Sequence, residues 1–246
     1  MINLALALSA GLLKAVAIKL GNFSLLAAII PAKLEFLGTY VALAFRTGKI
    51  LQALMAQVQA ELNSLPPNPK EQKLRVEKVI KMLESALVLS RWQFLVEGEI
   101  QGQIGMIKYL FKDHDGALAA FLKASVRNFY ARAFQAAIYF QRKDFTAMEK
   151  AFEDAVSAGK KEGIVWAAYA WCLAQNKATD KAISVLARGV EANPSDEKLK
   201  SALTALQNDK KLKMKPWEPM WWQFGLEAPP VMQPQFMGGR RGRFRR

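Results

Sequence analysis

The sequence predicts an all-α fold, a solenoid of antiparallel helical hairpins preceded by hydrophobic, transmembrane helices at the amino terminus. A repeated spacing, a strongly apolar first segment and a proline-rich break between them lead to this prediction. Each repeat contains four characteristic positions. A small residue is followed twelve positions later by a small or flexible residue, four positions after that by a bulky apolar residue, and three positions after that by another small residue. Small residues at these places let two antiparallel helices approach closely, and the bulky residue packs into the next hairpin. Three copies fit: Gly105, Ala117, Phe121 and Ala124; Ala136, Met148, Phe152 and Ala155; Ala170, Ala182, Leu186 and Gly189.

The first segment, residues 1–63, is predicted to form hydrophobic membrane-anchor helices with a helical extension. Residues 1–45 are mostly Leu, Ala, Ile, Val and Phe, and the charged residues among them are Lys14, Lys19, Lys33 and Glu35. A bilayer span needs about 20 predominantly apolar residues, so a spanning helix here must tolerate a charge. Because Lys14 lies off the centre of its apolar run and its side chain can reach the interface, insertion is narrowly favoured.

A transmembrane hairpin of two helices, with a break at Gly21–Asn22 or near Pro31, is the favoured arrangement. The alternatives are one span with an interfacial helix, and a soluble chain whose apolar helices cap the solenoid or pack in an oligomer. A cleaved signal peptide is not expected, because its positive residues precede the apolar run whereas Lys14 and Lys19 follow it.

Basic residues after the apolar region predict which side of the membrane carries the repeats. These residues are Arg46, Lys49, Lys70, Lys73 and Arg75. By the positive-inside rule they place the repeat domain in the cytoplasm. The compact chain without eukaryotic sorting signals makes the bacterial inner membrane the expected location.

The remaining chain is expected to divide into three parts. A proline-rich linker, SLPPNP, is predicted at residues 64–69, because proline lacks the amide hydrogen that a helix needs. A helical repeat domain is predicted at 70–208 and a tail rich in Trp, Pro and Arg at 209–246. Val79, Leu83 and Ala86 repeat the second-helix spacing, which predicts a degenerate half-repeat before the first hairpin. Asn193–Pro194 and the acidic residues after it predict a capping helix that ends near Leu206.

From about Gly98 to Leu206 these hairpins resemble the tetratricopeptide repeat (TPR) family. The residues that fall where the family has Trp, Gly, Ala and Pro in the third repeat are Trp166, Ala170, Ala182 and Pro194. The second repeat supplies Tyr139, and the first has Gly105 and Phe121 but Lys108 in the Tyr place and Phe129 in the Pro place. The second copy follows the first after 31 residues, from Phe121 to Phe152, where the family has 34, which predicts a shortened turn between repeats.

The resemblance implies a concave groove, lined by the first helix of each hairpin, that accepts an extended peptide or a helix. The corresponding residues of this chain are Glu99, Gln103, Met106, Tyr130, Phe134, Ala137, Ala167 and Trp171. This surface is apolar and aromatic and lacks the Lys, Arg and Asn set that family members use to clamp a terminal carboxylate. An apolar segment of an as yet unidentified protein partner is therefore expected there. Met106, Phe134 and Trp171 fit equally well as core between helices.

The tail contains two further candidate contact regions. Residues 215–236 hold three Trp, two Phe and five Pro, too apolar a set to remain uncovered. We expect Trp217, Trp221 and Trp222 to dock on the solenoid or at the membrane interface. The final basic residues, candidates for binding phosphate groups of anionic lipid or of nucleic acid, are Arg240, Arg241, Arg243, Arg245 and Arg246. A basic terminus that only aids solubility and topology is the alternative.

Composition argues against catalysis. The net charge of +14 is concentrated at the two ends of the chain, and the only cysteine and histidine are Cys172 and His114. His114 is expected to be a solvated residue of the turn DHDG, and no metal site, cofactor site or phosphate-binding loop is expected. The predicted function is that of a membrane-anchored TPR scaffold or adaptor, not an enzyme. The alternatives are an adaptor that binds nucleic acid or anionic lipid through its Arg tail, and an accessory subunit of a membrane enzyme complex.

Overall fold

The computed structural model describes residues 1–21 and 24–228, which form helices and short connections, with no strand among them. The helices are α1 (Ile2–Leu20), α2 (Leu25–Asn63), α3 (Pro69–Ser85), α4 (Val96–Leu110), α5 (His114–Lys123), α6 (Phe129–Gln141), α7 (Phe145–Ala158), α8 (Gly163–Gln175), α9 (Thr179–Ala192), α10 (Glu197–Gln207) and α11 (Met220–Gln223). Two 3-10 helices, Ala86–Arg91 and Lys215–Trp217, lie between α3 and α4 and before α11. The architecture is an α-solenoid preceded by two apolar helices.

Helices α1 and α2 form an antiparallel hairpin. Gly11 allows their close approach, because a Cβ atom there would lie 2.9 Å from the Ala32 carbonyl oxygen. The chain reverses after α1, and the Ser24 hydroxyl caps the start of α2 by accepting from the Ala27 amide. Of the two break positions weighed from the sequence, the structure uses the one next to Gly21, while Pro31 lies inside α2.

A buried polar cluster joins the hairpin to the repeats. The side-chain amide of Asn3 donates to the Thr47 hydroxyl at 3.0 Å and to the Gln93 side-chain oxygen at 2.9 Å. The Asn3 backbone amide donates to the Trp92 carbonyl oxygen at 3.1 Å. Because leaving any of these buried groups unpaired costs about 1–3 kcal/mol, the cluster fixes the direction in which α1 leaves the solenoid.

The three helical hairpins are α4–α5, α6–α7 and α8–α9, and α10 packs on the last of them. All twelve residues of the predicted spacing are buried, as the close approach of paired helices requires. Each pair is joined by a three-residue turn in which a lysine adopts a left-handed backbone conformation, namely Lys112, Lys143 and Lys177. The aspartates that follow the first two of these lysines cap the next helix by accepting from its backbone amides.

Three sequence-based expectations need correction or refinement. The short first repeat results from a short second helix, since α5 has 10 residues whereas α7 and α9 have 14 each, and not from a shortened turn. Helix α5 ends where Ala124 becomes extended and the Ser125 amide donates to the Gly98 carbonyl oxygen. His114 is the half-buried first residue of α5 and stacks on Tyr109 at 5.1 Å, so it is not a solvated turn residue. In the half-repeat, Val79 and Leu83 are fully buried, but the helix ends at Ser85, and Ala86 begins a 3-10 helix.

The substitution Gly105→Ala tests the close approach of α4 and α5. A Cβ atom at Gly105 would lie 2.5 Å from Cδ1 of Phe121, whose ring is fully buried and has no room to move. Overpacking of this kind costs about 1–3 kcal/mol and exceeds the gain in helix propensity, so we expect a net loss of about 1 kcal/mol in the free energy of unfolding. Urea unfolding of the full chain in detergent measures it, with the exposed Leu122→Ala as control. Equal stability of Gly105→Ala and the unsubstituted chain would contradict this packing.

Candidate partner-binding groove

The first helices of the three hairpins, α4, α6 and α8, supply all eight residues of the predicted groove, and the structure divides them into two sets. The set that lines an open cavity is Glu99, Gln103, Met106 and Tyr130. The set that is buried in the main core is Phe134, Ala137, Ala167 and Trp171. The concave face is thus open along α4 as far as Met106 and at the amino-terminal end of α6, and closed further along α6 and on α8.

The open cavity has a volume of about 670 Å³, within the range of about 300–1,000 Å³ that ligand pockets have. Its walls are α4, the start of α6 and the middle of α2, where Ala44, Thr47, Gly48 and Leu51 face it. The apolar hairpin therefore forms one wall of the groove.

The connection that enters α4 adds exposed apolar residues to this cavity. Phe94 and Leu95 line it, and both side chains are exposed. Leu95 has a φ of 69°, a left-handed conformation that costs a non-glycine residue about 1–2 kcal/mol. Tyr130 lies opposite, and partial burial raises the pKa of its phenol, which keeps the hydroxyl protonated.

Residues 212–228, which we call the C-terminal segment, cover the other part of the concave face. The segment buries five large apolar side chains, which are Leu212, Met214, Trp217, Trp221 and Phe224. The Phe224 ring stacks on Phe134 with a centroid distance of 4.6 Å. The Trp221 ring meets Trp171 edge to face at 5.0 Å. The segment therefore occupies the place where the sequence predicted part of a partner-binding surface.

Hydrogen bonds fix the position of this segment. The Tyr109 hydroxyl donates to the Phe224 carbonyl oxygen, and the Gln141 side-chain amide donates to the Tyr109 oxygen at 3.3 Å and to the Gly225 carbonyl oxygen at 3.4 Å. Burial raises the pKa of Tyr109 well above its ordinary value, so its hydroxyl keeps the donated proton at neutral pH. Within the segment, the Trp221 indole nitrogen donates to the Glu227 carboxylate at 2.8 Å.

The three candidate docking tryptophans differ in their surroundings. Trp221 is fully buried and Trp217 nearly so, while Trp222 is half-buried at the edge of the core. The five candidate phosphate-binding residues, Arg240, Arg241, Arg243, Arg245 and Arg246, lie outside the described residues. Within the described ranges, no group of three His, Cys, Asp or Glu side chains is placed to hold a metal ion, and Cys172 is a fully buried thiol.

Sequence reasoning missed the residues that hold the C-terminal segment, Tyr109, Gln141 and Phe224. The alternation of lysine with the apolar Leu212 and Met214 indicates an extended segment with one buried face. It does not indicate which surface of the protein covers that face. The resemblance identified the cavity wall on α4 and α6, but the wall that α2 contributes gave no signal, since α2 is distant from these helices in sequence.

Replacing Trp221 by alanine tests the docking of the segment. The substitution removes a fully buried indole from its contact with Trp171, and we expect a loss of about 3–5 kcal/mol in the free energy of unfolding. Trp222→Ala is the matched control, with an expected loss of about 1 kcal/mol, because its side chain is only half-buried. Urea unfolding followed by far-ultraviolet circular dichroism compares the two variants. Equal effects of the two substitutions would contradict the contact.

Residues 139–206 match the tetratricopeptide repeat family. The match begins near the end of α6 and extends through α7, α8, α9 and most of α10. No curated protein and no solved structure matches the chain. TPR arrays generally mediate protein–protein interaction, for which stacked hairpins provide an extended concave surface. Residues 139–206 are thus similar to the tetratricopeptide repeat family, and together with the hairpins around them they form a TPR-like solenoid.

Proposed function

We propose that this protein is a membrane-anchored TPR adaptor, which uses the α1–α2 hairpin as its anchor and the open cavity as its docking site for a partner protein. One observation carries the proposal: the base of the apolar hairpin lies beside the cavity, and α2 forms part of the cavity wall. Anchor and docking site are therefore a single structural unit, and a partner bound in the cavity is held at the bilayer.

The length of the hairpin supports insertion. Both helices are long and apolar enough to cross a membrane. At 1.5 Å per residue, the 19 residues of α1 extend about 28 Å, and residues 25–46 of α2 extend about 33 Å. The hydrocarbon core of a bilayer is about 30 Å thick. The two helices thus fit one crossing each, with the turn between them on the far side.

The surface of the hairpin also supports insertion. Large apolar side chains point outward along both helices, among them Leu8, Leu12, Leu13, Val16, Leu26, Ile30, Leu34 and Leu37. A contiguous apolar surface of this extent is rare on a soluble monomer and marks contact with a membrane or a protein. The charged side chains that oppose insertion are Lys14, Lys19, Lys33 and Glu35. A charged residue such as Lys or Asp at the centre of a span costs about 2.5–3.5 kcal/mol of insertion free energy. Of these four residues, Lys19 lies in the last turn of α1, where it can reach the far headgroups.

The topology follows from the antiparallel pairing. Asn3 and Thr47 lie together at the base, so both ends of the hairpin lie on the side of the repeats. Arg46 and Lys49 are exposed at this base, and by the positive-inside rule these basic residues support a cytoplasmic location for it. The Arg-rich end lies outside the described residues, and its binding of anionic lipid or nucleic acid stays a prediction.

Membrane association is tested by fractionation of cells that express the full chain. We expect the protein to sediment with membranes, to resist extraction by high salt and to be released by detergent. The triple substitution Leu8→Glu/Leu12→Glu/Val16→Glu places three carboxylates on the exposed face of α1, where carboxylates are strongly unfavourable in a bilayer, and should move the protein to the soluble fraction.

A control substitution keeps this test specific. Leu122→Glu changes an equally exposed leucine of α5, outside the hairpin, and should leave the protein with the membranes. An unsubstituted chain that is soluble without detergent, or that high salt releases, would contradict the anchor.

A further inference from the structure

One face of α2 carries apolar or small residues at alternating intervals of three and four over most of its length. These residues, which we call the α2 seam, are Leu34, Leu37, Val41, Ala44, Gly48, Leu51, Met55, Val58 and Leu62. Such a heptad pattern is typical of a helix that packs along other helices through that face. No charged residue occupies any of the nine positions.

The lower half of the seam already has partners within the chain. Val58 is buried, and Leu51, Met55 and Leu62 pack in the same apolar cluster, where Val79 and Leu83 of α3 and Ile100 and Ile104 of α4 are also found. Where other helices of the chain lie beside the seam, its residues therefore pack against them.

The upper half of the seam has no cover among the described residues. Leu34 is 65% exposed, Leu37 55% and Val41 40%. Helix α1 packs on a different face of α2, the one that carries Ala28 and Ala32. Between the two halves, Ala44 and Gly48 face the open cavity. One continuous surface thus runs from the bilayer part of α2 into the groove.

We propose that a transmembrane helix of a partner membrane protein packs along the upper seam and extends its cytoplasmic end into the cavity. The proposal rests on the proposed function, because it requires the hairpin to span the bilayer. The seam fits a helix better than a lipid, since its heptad pattern continues that of the lower half, which packs on α3 and α4, and since the small residues Ala44 and Gly48 at the cytoplasmic end of the upper half let a helix backbone approach. A Cβ atom at Gly48 would meet no atom outside its own stretch of helix within 4 Å.

The cavity has room for the end of one helix. A helix about 10 Å in diameter with a pitch of 5.4 Å fills about 670 Å³ with about one and a half turns. That length is enough for the last turn of a spanning helix and the residues that follow it.

The charges at the cavity complement such a helix end. Glu99 and Arg127 both line the cavity, and among the described residues neither side chain forms an ion pair. Cytoplasmic flanks of spanning helices are rich in Lys and Arg, which Glu99 would pair with. The unpaired carbonyl groups of a helix carboxyl end carry partial negative charge, which Arg127 would meet. The partner helix therefore enters the cavity with its carboxyl end.

Photocrosslinking in native membranes tests this arrangement with the full chain. A benzophenone-bearing phenylalanine analogue replaces Leu37 in the upper seam, Met106 in the cavity, or Ala42, which is exposed on α2 on a face turned away from the seam. We expect the Leu37 and Met106 probes to label one and the same partner polypeptide. Mass spectrometry should place the Leu37 product in an apolar span and the Met106 product just after its carboxyl end, next to a basic residue, and the Ala42 probe should not give the span product.

A matched pair of glycine substitutions tests the space itself. Gly38 and Gly48 both lie in α2, and a Cβ atom at either would meet no atom outside its own stretch of helix within 4 Å, but only Gly48 faces the cavity. Gly48→Leu should abolish the Met106 crosslink, whereas Gly38→Leu leaves the cavity unchanged and should keep it. Both substitutions favour the helix, so loss of the fold does not explain a difference between them.

The outcomes separate this inference from the proposed function. A chain that fractionates as soluble refutes both. A chain that stays with the membranes but crosslinks from Leu37 to a second copy of itself, to a different protein than Met106 does, or to no protein refutes the inference alone. Equal effects of Gly48→Leu and Gly38→Leu on the Met106 crosslink also refute it.

Discussion

The insertion of Trp221 and Phe224 between α4, α6 and α8 determines which part of the concave face is open to a partner. Each of these aromatic side chains contributes about 1.5–3 kcal/mol through burial, and each ring pair adds about 0.5–1.5 kcal/mol. The hydrogen bond from Tyr109 to the Phe224 carbonyl oxygen pairs groups that would otherwise be buried without partners. With this segment in place, the part of the concave face that stays open is the cavity between α4, the start of α6 and α2.

The position of α2 is the second constraint. At the base of the hairpin, Asn3 of α1 donates hydrogen bonds to Thr47 of α2 and to Gln93 before α4, so the hairpin is joined to the solenoid there. Below that junction α2 packs on α3 and α4, and above it the same face is exposed. The fold thus brings an apolar surface suited to a bilayer and a cavity suited to a protein segment into direct contact.

Much of the solenoid could be predicted from the sequence because the same packing contacts recur from one hairpin to the next. Positions such as Gly105, Ala136 and Ala170 recur at corresponding places in successive helices, and close packing at each demands a small residue whatever its neighbours are. The capping helix α10 was predictable for a local reason as well, since Asp196 accepts from two backbone amides of its first turn.

What the sequence did not show depends on contacts between distant parts of the chain. Periodicity assigns Phe134 and Trp171 equally well to a groove or to a core, and only the docking of the aperiodic C-terminal segment decides between them. The short α5 was misread as a short turn because an interval between repeats does not reveal which element lost residues. From the sequence, a break near Pro31 was as plausible as one at Gly21–Asn22, but α2 continues through Pro31.

The most direct test asks whether the C-terminal segment lies on the concave face of the full chain. The Gln141 side-chain nitrogen lies 3.4 Å from the Gly225 carbonyl oxygen, so thiols at Gln141→Cys and Leu226→Cys fall within reach of a short bismaleimide, while the buried Cys172 does not react. We expect an intramolecular crosslink between these two positions and none between Leu226→Cys and Lys150→Cys on α7. If both thiols of the first pair react singly but no bridge forms, the segment lies elsewhere, and the division of the groove into an open and a covered part is wrong.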